Sequence, residues 1–360
     1  MTVSLFSSLK KSSIGGALTY LLKIPVISTV LKKEINKTKM NFKNGLDKAL
    51  YKPLKQIPNQ GWSRTEIIDR LNEYSMYEYN KVSNAQFSGV RFTDNKELED
   101  IAGEASKRFL YTNMMYFKKA TPSRHMENEI ISWTKNLLNG QDSTTGITTT
   151  GGSDSIFLGV LAHKRYYFKE HGIKKPEIIM PESAHPAFIK ACQFTDVKPV
   201  ILKCNRENGT VKSSQYKAAI TKNTICFVCS APNLPYGTVD PIEEVSKLAG
   251  DYKIGLFVDG CMGSMLLPFV DQCRVQTGER YVDLRNKNVS CMSCDVHKYG
   301  MTPKGISVLL FPNDAIKKSL FFGVTDWVGG LYGTHTIQGS RPSSIIAAAW
   351  SVMAKVGYEG

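Results

Sequence analysis

The sequence predicts an α/β protein in which helices cover a mainly parallel sheet, preceded by a helical N-terminal segment. From residue 145 onward, short apolar runs alternate with helical patterns. This alternation is typical of a parallel sheet that is covered on both faces. The 360 residues are 42% hydrophobic and 22% charged, which fits a folded chain of one large domain or two.

Residues 1–60 form a basic, partly apolar arm. They contain eleven lysines, no arginine, one glutamate and one aspartate, so +9 of the formal net charge of +14 lies here. The apolar stretch 14–31 contains Lys23 and Pro25, which are costly inside a membrane-spanning helix. A basic helix lying on an anionic membrane surface fits this pattern, and an amphipathic helix packed on the body is the alternative. Because the rest of the chain carries only +5, the charge does not indicate a nucleic-acid-binding body.

Residues 61–140 are predicted to be mostly helical, and residues 141–343 to form the α/β domain. Ser63 and Glu66 have the spacing of a helix cap, and a second helix is predicted over 126–138. Strands are predicted over 146–150, 177–180, 198–202, 224–230, 255–259, 289–295 and 306–311, and helices over 153–169, 186–193, 214–222 and 242–252. Ligands of such sheets bind beyond the carboxyl ends of the strands.

Two C-x-x-C pairs, Cys226/Cys229 and Cys291/Cys294, invite a zinc interpretation. Both pairs lie in apolar runs that are predicted to be strands, where residues three apart point to opposite faces. We therefore expect no metal site, and expect the cysteines to be reduced and mostly buried.

The segment 293–305 carries the strongest chemical signal. His297 and Lys298 are followed by an aromatic residue, glycines and a proline, and the apolar run 306–311 comes next. This layout places Lys298 on a turn between two strands, where a partly desolvated ammonium can lose its proton and form a Schiff base. Pyridoxal 5'-phosphate (PLP) is the cofactor that most often uses such a lysine. A surface lysine beside a surface histidine is the alternative.

A glycine turn lies between a predicted strand and a predicted helix at 148–155, with Gly151, Gly152 and Ser153 at its centre. Its glycines let backbone N–H groups approach an anion, and the helix N-terminus adds a favourable dipole. The turn suits a phosphate group, although such a segment can also be only a capped turn.

Asp259 and His185 follow other predicted strands. A carboxylate at residue 259 would keep a pyridine nitrogen protonated and so strengthen the ring as an electron sink. The alternative is a helix cap before Gly260. His185 could stack on a cofactor ring, although a lone histidine is more often structural. The chain order of phosphate turn, histidine, aspartate and lysine is that of fold-type I PLP-dependent enzymes, which are transferase-like in fold.

With these motifs in place, the chain resembles the sphingosine-1-phosphate lyase family. The resemblance runs from about residue 20 to the C-terminus, and Asp-x-His-Lys-Tyr-Gly and Gly-Ser-Arg-Pro are its most specific parts. The matching segments are 22–27, 36–39, 147–156, 181–191, 223–241, 258–268, 293–305, 325–330 and 336–342. The resemblance implies a PLP-dependent lyase that works as a dimer, with its body in the cytosol and anchored at the endoplasmic reticulum. It also implies retro-aldol cleavage of a phosphorylated long-chain base to a fatty aldehyde and phosphoethanolamine.

Carried over to this sequence, the family's catalytic residues are Lys298, His297 and Lys304. Lys298 would bind PLP covalently, and Lys304 would help with phosphate groups. The cofactor-binding residues implied in the same way are Gly151, Gly152, Ser153, His185, Asp259, His297, Lys298 and Ser340. Ser340 lies in Gly-Ser-Arg-Pro, which would act partly across the dimer.

The substrate side departs from the family pattern. Phe87 replaces a tyrosine, Tyr116 stands where the family has a histidine, and Met301 replaces the last tyrosine of Tyr-Gly-Tyr. Residues 344–360 are expected to begin a C-terminal domain of which the sequence contains no more. We therefore expect PLP binding with slow or absent cleavage of sphingosine phosphates. The alternatives are an amino-acid decarboxylase-like enzyme and a weakly active or inactive PLP-binding paralogue or fragment.

Overall fold

The computed structural model describes residues 33, 36–37, 56–83, 89, 92–116, 119–269 and 281–359. Predictions for most of the basic arm and for Phe87 lie outside the described residues. The chain divides into two compact units, residues 1–83 and 84–360, and each is described by itself. The predicted helical segment 61–140 thus has its first helix in one unit and its later helices in the other.

The first unit contains helix α1 (Arg64–Ser83). Its N-terminus has the predicted cap, because the backbone N–H of Ser63 donates to Glu66 (2.7 Å) and the backbone N–H of Glu66 donates to the Ser63 hydroxyl (3.3 Å). This reciprocal arrangement satisfies two of the donors that a helix start leaves unpaired. Within the described ranges, no helix has both the length and the hydropathy that crossing a membrane requires.

The second unit is built on a seven-stranded sheet with the order β1-β7-β6-β5-β4-β2-β3. Strand β7 is antiparallel to both of its neighbours, and the other paired strands run parallel to one another. The strands are β1 (Thr145–Thr149), β2 (Glu177–Pro181), β3 (Lys198–Leu202), β4 (Thr224–Ser230), β5 (Gly255–Asp259), β6 (Cys291–Cys294) and β7 (Ser307–Phe311). The prediction of a mainly parallel sheet is confirmed.

Helices pack on both faces of this sheet. A separate hairpin of β8 (Phe322–Val324) and β9 (Tyr332–Thr334) follows the last long strand. The helices are α2 (Lys96–Arg108), α3 (Thr121–Leu137), α4 (Gly152–His171), α5 (Ala187–Thr195), α6 (Ser213–Ala219), α7 (Ile242–Tyr252), α8 (Asp314–Lys318) and α9 (Ser343–Val356).

Side chains alternate between the two cores, as the strand pattern requires. Cys226 belongs to the core on the α4 and α5 side, whereas Cys229 belongs to the opposite core, and Cys291 and Cys294 are divided in the same way. The expectation that neither C-x-x-C pair can hold one metal ion rests on this geometry. The seven described cysteines are free and buried.

Gly159 of helix α4 packs directly against Phe257 of the sheet. A Cβ atom added there would lie 2.2 Å from a ring carbon of Phe257 on β5. The Phe257 ring is fully buried and makes an edge contact with Phe188 of α5 at 5.1 Å between ring centroids. The ring therefore has no room to move away, and the closeness of helix and sheet depends on this glycine.

We predict that Gly159→Ala destabilises the protein by about 1–3 kcal/mol, because the added methyl group overpacks the core against Phe257. Gly103→Ala is the matched control, since residue 103 is exposed within α2 and its added Cβ would meet nothing within 4 Å. The control should stabilise the helix by up to about 1 kcal/mol. Urea unfolding of both variants measures the difference, and equal midpoints would contradict the packing argument.

Candidate active site

The turn that follows β6 holds Lys298 against a buried carboxylate. Lys298 Nζ lies 3.0 Å from Asp295 Oδ2, and the Asp295 side chain is only 3% exposed. The turn is closed by backbone hydrogen bonds from Lys298 to Asp295 (3.2 Å) and from Met301 to Lys298 (2.9 Å). Lys298 therefore occupies the predicted turn between two strands, and its side chain is 22% exposed.

The electrostatics of Lys298 differ from the sequence expectation. Burial acts to lower the pKa of Lys298, but the charge and the hydrogen bond of Asp295, with a smaller contribution from Asp259, outweigh burial and raise that pKa above its ordinary value. Desolvation alone would have eased loss of the proton, as we expected. In the cofactor-free protein the ion pair instead keeps Lys298 as an ammonium.

His297 is neutral, and its ring proton is on one defined nitrogen. Burial, the largest effect, lowers its pKa, and Lys304 lowers it further, against the opposing charge of Asp295. Its Nδ1 accepts a hydrogen bond from the backbone N–H of Ile306 at 3.3 Å, so the ring proton is on Nε2. Nε2 lies 3.6 Å from Asp295 Oδ2, the same oxygen that pairs with Lys298.

Asp259 ends β5 and is held from two sides. Its Oδ1 accepts a hydrogen bond from the backbone N–H of Cys261 at 3.1 Å and one from the Ser293 hydroxyl at 3.0 Å. The first bond is local, as expected if Asp259 served only as a helix cap before Gly260, the alternative role considered for it. The second crosses to β6, where Ser293 is the register partner of Asp259. The carboxylate is therefore fixed at the carboxyl edge of the sheet, with one oxygen already occupied.

The glycine turn reaches the same edge from β1. Gly151 has φ +147°, a conformation that side chains rarely adopt, and a Cβ on Gly152 would lie 2.8 Å from Cys261 Sγ and 2.9 Å from Asp295 Oδ2. Only glycine fits at residue 152, because the backbone there passes directly over the Asp295 carboxylate. Ser153 is exposed in the first turn of α4. The N-terminus of this helix, with its backbone N–H groups, is available to an anion.

His185 and Lys304 lie at the rim of the edge. His185 is exposed after β2, and its Nδ1 accepts a hydrogen bond from the Ala187 N–H at 3.1 Å. Lys304 Nζ donates to the His297 carbonyl at 3.1 Å and lies 4.2 Å from the centroid of the Phe92 ring. Burial, followed by the charge of Lys298, lowers the pKa of Lys304.

Ser340 has a different set of contacts. It accepts a hydrogen bond from Asn113 Nδ2 at 2.8 Å, and among the described residues it makes no hydrogen bond to the glycine turn or to Lys298. The neighbouring Arg341 pairs with Glu127 at 2.6 Å and donates to the Thr148 hydroxyl at 3.1 Å. The guanidinium that the Gly-Ser-Arg-Pro motif supplies is therefore used to tie this segment to α3 and β1.

Together these groups fit PLP. A lysine amine, a carboxylate with one oxygen occupied and a turn at the start of α4 meet at one edge of the sheet. The absent Cβ of Gly152 is what allows the turn to lie against the Asp295 carboxylate. Lys298 would bind the cofactor, Asp259 would meet the pyridine nitrogen, and the N-terminus of α4 would receive the phosphate. When bound, PLP supplies an electron sink for a carbanion.

Three residues of the edge escaped the sequence reasoning. Asp295 precedes Lys298 by three residues within the quoted Asp-x-His-Lys motif, so its position in the same turn was a usable signal. Ser293 joins Asp259, and the Cys261 thiol joins Ser293, only through the pairing of β5 with β6, which the sequence does not display.

The pyridoxal-dependent decarboxylase conserved domain matches residues 55–360, and the chain belongs to this family. Relatives that match this chain at 30% identity and above include several sphingosine-1-phosphate lyases. Sphingosine-1-phosphate lyase 1 of Rattus norvegicus is 37% identical over 94% of this chain and 59% of its own length. The lyase of Saccharomyces cerevisiae is 32% identical over 95% of this chain and 58% of its own length. The chain therefore spans about three fifths of these relatives.

Solved structures agree with this assignment. Sphingosine-1-phosphate lyase of Burkholderia pseudomallei is 32% identical, with a TM-score of 0.81 over 87% of this chain and 73% of that chain. Glutamate decarboxylase of Lactobacillus brevis, at 19% identity, has a TM-score of 0.68 over 86% of this chain and 71% of that chain, and this likeness concerns the fold alone. The predicted fold class, the family resemblance and the PLP cofactor are confirmed.

We predict that Asp295→Asn shifts the pH dependence of Lys298 reactivity to lower pH. The amide removes the charge that raises the lysine pKa and leaves the burial that lowers it. Reductive methylation of Lys298 in the cofactor-free protein, followed by mass spectrometry across pH, measures the shift. Glu182→Gln is the control, because it removes a carboxylate from the surface pair with Lys203 (2.9 Å). An unchanged profile in Asp295→Asn would contradict the assigned ion pair.

Proposed function

We propose that this protein is a PLP-dependent carbon–carbon lyase that cleaves phosphorylated long-chain sphingoid bases to a fatty aldehyde and phosphoethanolamine. The observation that carries the proposal is the turn Asp295–Lys298, which joins lysine, histidine and buried carboxylate in the motif most specific to these lyases. Relatives named sphingosine-1-phosphate lyase at 32–37% identity support it. The assigned roles of Lys298, His297, Lys304, His185, Asp259 and the glycine turn belong to the same proposal.

The chain's own groups divide the work of retro-aldol cleavage. The C3 hydroxyl proton must pass to a base as the C2–C3 bond breaks. His297 is unsuited to accept it, because Nδ1 is occupied by the Ile306 N–H and Nε2 already carries a proton. We assign to His297 the role of stabilising the Asp295 carboxylate. We assign to the Lys298–Asp295 pair the role of holding and moving protons at the centre of the site.

The phosphate of the substrate needs a cation at the rim. Lys304 is fixed there by its hydrogen bond to the His297 carbonyl and by the face of the Phe92 ring. Burial lowers the pKa of Lys304, and the charge of Lys298 lowers it further, so the two ammonium groups repel each other. A doubly charged phosphate group would relieve their mutual repulsion.

We predict that the PLP-loaded chain releases a fatty aldehyde from sphinganine 1-phosphate only slowly, as the departures at Phe87, Tyr116 and Met301 imply, and that Lys298→Ala abolishes both this release and the borohydride-stable attachment of PLP. Lys247→Ala is the control, since Lys247 is an exposed lysine of α7 that pairs with Glu243. Aldehyde and phosphoethanolamine are quantified by mass spectrometry. Phe87→Tyr should raise turnover, because a group acting in the transition state is worth about 10²–10⁴-fold.

Other outcomes of the same assay would select the alternatives. Carbon dioxide released from an amino acid, with no aldehyde from the phosphorylated base, would identify a decarboxylase. Covalent PLP with no turnover of either substrate class, also after Phe87→Tyr, would identify a non-catalytic PLP-binding paralogue. Covalent PLP retained in Lys298→Ala would overturn the lysine assignment.

We also infer that the body of the protein faces the cytosol at the endoplasmic reticulum membrane and acts as a homodimer. The charge of residues 1–60 supports the membrane surface. The loop between β8 and β9 supports the dimer, because Trp327, Val328 and Leu331 there are 55%, 102% and 81% exposed. Exposed apolar side chains at a hairpin tip are typical of a contact with a second chain.

We predict that deletion of residues 1–45 releases the protein from anionic vesicles without loss of PLP binding. Each basic residue close to anionic lipid contributes roughly 1 kcal/mol, and most of the basic residues of the arm are removed. Sedimentation with phosphatidylserine vesicles at low and high salt measures binding, and neutral vesicles provide the control. Full-length protein that stays in the supernatant at low salt would contradict membrane association.

A further inference from the structure

The Asp259 carboxylate is held by a directed chain of hydrogen bonds that begins at Cys261. The Cys261 thiol lies 3.3 Å from the Ser293 hydroxyl oxygen, and the Ser293 hydroxyl lies 3.0 Å from Asp259 Oδ1. All three side chains are buried. The contact joins the ends of two adjacent strands, since residues 259 and 293 are register partners of β5 and β6.

The direction of this chain is fixed by chemistry. An ionised carboxylate only accepts hydrogen bonds, so the Ser293 hydroxyl must donate to Asp259. The lone pairs of that hydroxyl are then free to accept from the Cys261 thiol. Burial, aided by the nearby carboxylates of Asp259 and Asp295, raises the pKa of Cys261 well above its ordinary value. The thiol therefore keeps its proton and can serve as the donor.

The result is an asymmetric carboxylate. Oδ1 of Asp259 receives the Ser293 hydroxyl and the Cys261 backbone N–H, which are fixed by a strand and by a tight turn. Rotation about the side chain would break both bonds. Oδ2 is thereby left as the oxygen that meets a partner at the sheet edge.

We propose that Ser293 is a positioning residue for the cofactor ring. By occupying Oδ1 of Asp259, it turns Oδ2 toward the pyridine nitrogen of PLP and so keeps that nitrogen protonated. The inference rests on PLP binding at this edge and is independent of which substrate the enzyme cleaves. It concerns Ser293, which acts on the cofactor only through Asp259.

The test measures the ring nitrogen rather than turnover. Wild type, Ser293→Ala, Ser293→Cys and Ser293→Thr are loaded with ¹⁵N-labelled PLP, and the ¹⁵N chemical shift reports protonation of the ring. Absorbance titration gives the PLP dissociation constant. We expect Ser293→Ala to shift the ¹⁵N signal toward the unprotonated ring and to weaken PLP binding about 10- to 100-fold, as for loss of a hydrogen bond to a charged group.

The other variants separate positioning from packing. Ser293→Cys preserves the shape but donates weakly, so it should behave like Ser293→Ala. Ser293→Thr retains the hydroxyl and should restore the ¹⁵N signal. Ser290→Ala is the matched control, because Ser290 is also buried and also links the β6 segment to β5, but its hydroxyl donates to the Leu256 carbonyl at 2.8 Å and not to Asp259. It should leave both readouts unchanged.

An unshifted ¹⁵N signal with a PLP dissociation constant within twofold of wild type, in Ser293→Ala or Ser293→Cys, would overturn the proposal. A ¹⁵N shift in Ser290→Ala equal to that in Ser293→Ala would overturn it as well, because general loosening of the sheet would then explain both. Wild type that binds PLP but releases no aldehyde would contradict the proposed function and leave this test valid.

Discussion

A carboxylate buried at the edge of the sheet must be balanced by positive charge, and the arrangement of the site follows from that requirement. Asp295 is 3% exposed, and leaving such a charge without a partner costs several kcal/mol. Lys298 supplies the balance, with its Nζ 3.0 Å from Asp295 Oδ2, and His297 Nε2 lies 3.6 Å from the same oxygen. The raised pKa of the lysine is one consequence of this buried negative charge. The need for glycine at residue 152 is another, because a side chain there would displace the carboxylate.

The parallel sheet explains how groups more than 100 residues apart in sequence reach this carboxylate. The carboxyl ends of β1, β2, β5 and β6 lie at one edge, and each is followed by a group of the site: Gly151, His185, Asp259 and Lys298. The N-terminus of helix α4 lies at this edge as well, and an anion is favoured there. Strand β7 runs the other way and returns the chain from the lysine turn past β1. It brings the Ile306 N–H to His297 Nδ1, and this hydrogen bond fixes the histidine tautomer.

Most strands were predictable because their apolar runs are short and separated by turn residues. β3, β4 and β5 have the predicted bounds, and the glycine turn and Lys298 lie where the sequence placed them. The direction of β7 was not predictable, since a fully buried strand has the same apolar pattern in either direction. The raised pKa of Lys298 was missed for a related reason. Burial can be inferred from a sequence, but the contact with Asp295 that reverses its effect is a matter of turn geometry. The contacts of Ser293 and Arg341 could not be inferred from the sequence, because their partners, Asp259 and Glu127, are 34 and 214 residues away.

One departure from the lyase pattern, Met301, lies beside the lysine turn, and the structure shows what it contacts. Met301 has a positive φ of 59° at the end of the lysine turn, and its side chain packs on the small core that Leu98 and Val352 form between α2 and α9. It lines a cleft of about 410 Å³ that also reaches His297 and Lys304. An apolar, flexible side chain in place of a tyrosine thus changes a wall of this cleft while the bonds to Asp295 and Asp259 stay as they are. Lys298 and Asp259 are held by a buried ion pair and buried hydrogen bonds, whereas the Met301 side chain is held in the cleft wall by packing alone. A residue of the cleft wall can therefore change while the contacts that hold Lys298 and Asp259 stay as they are.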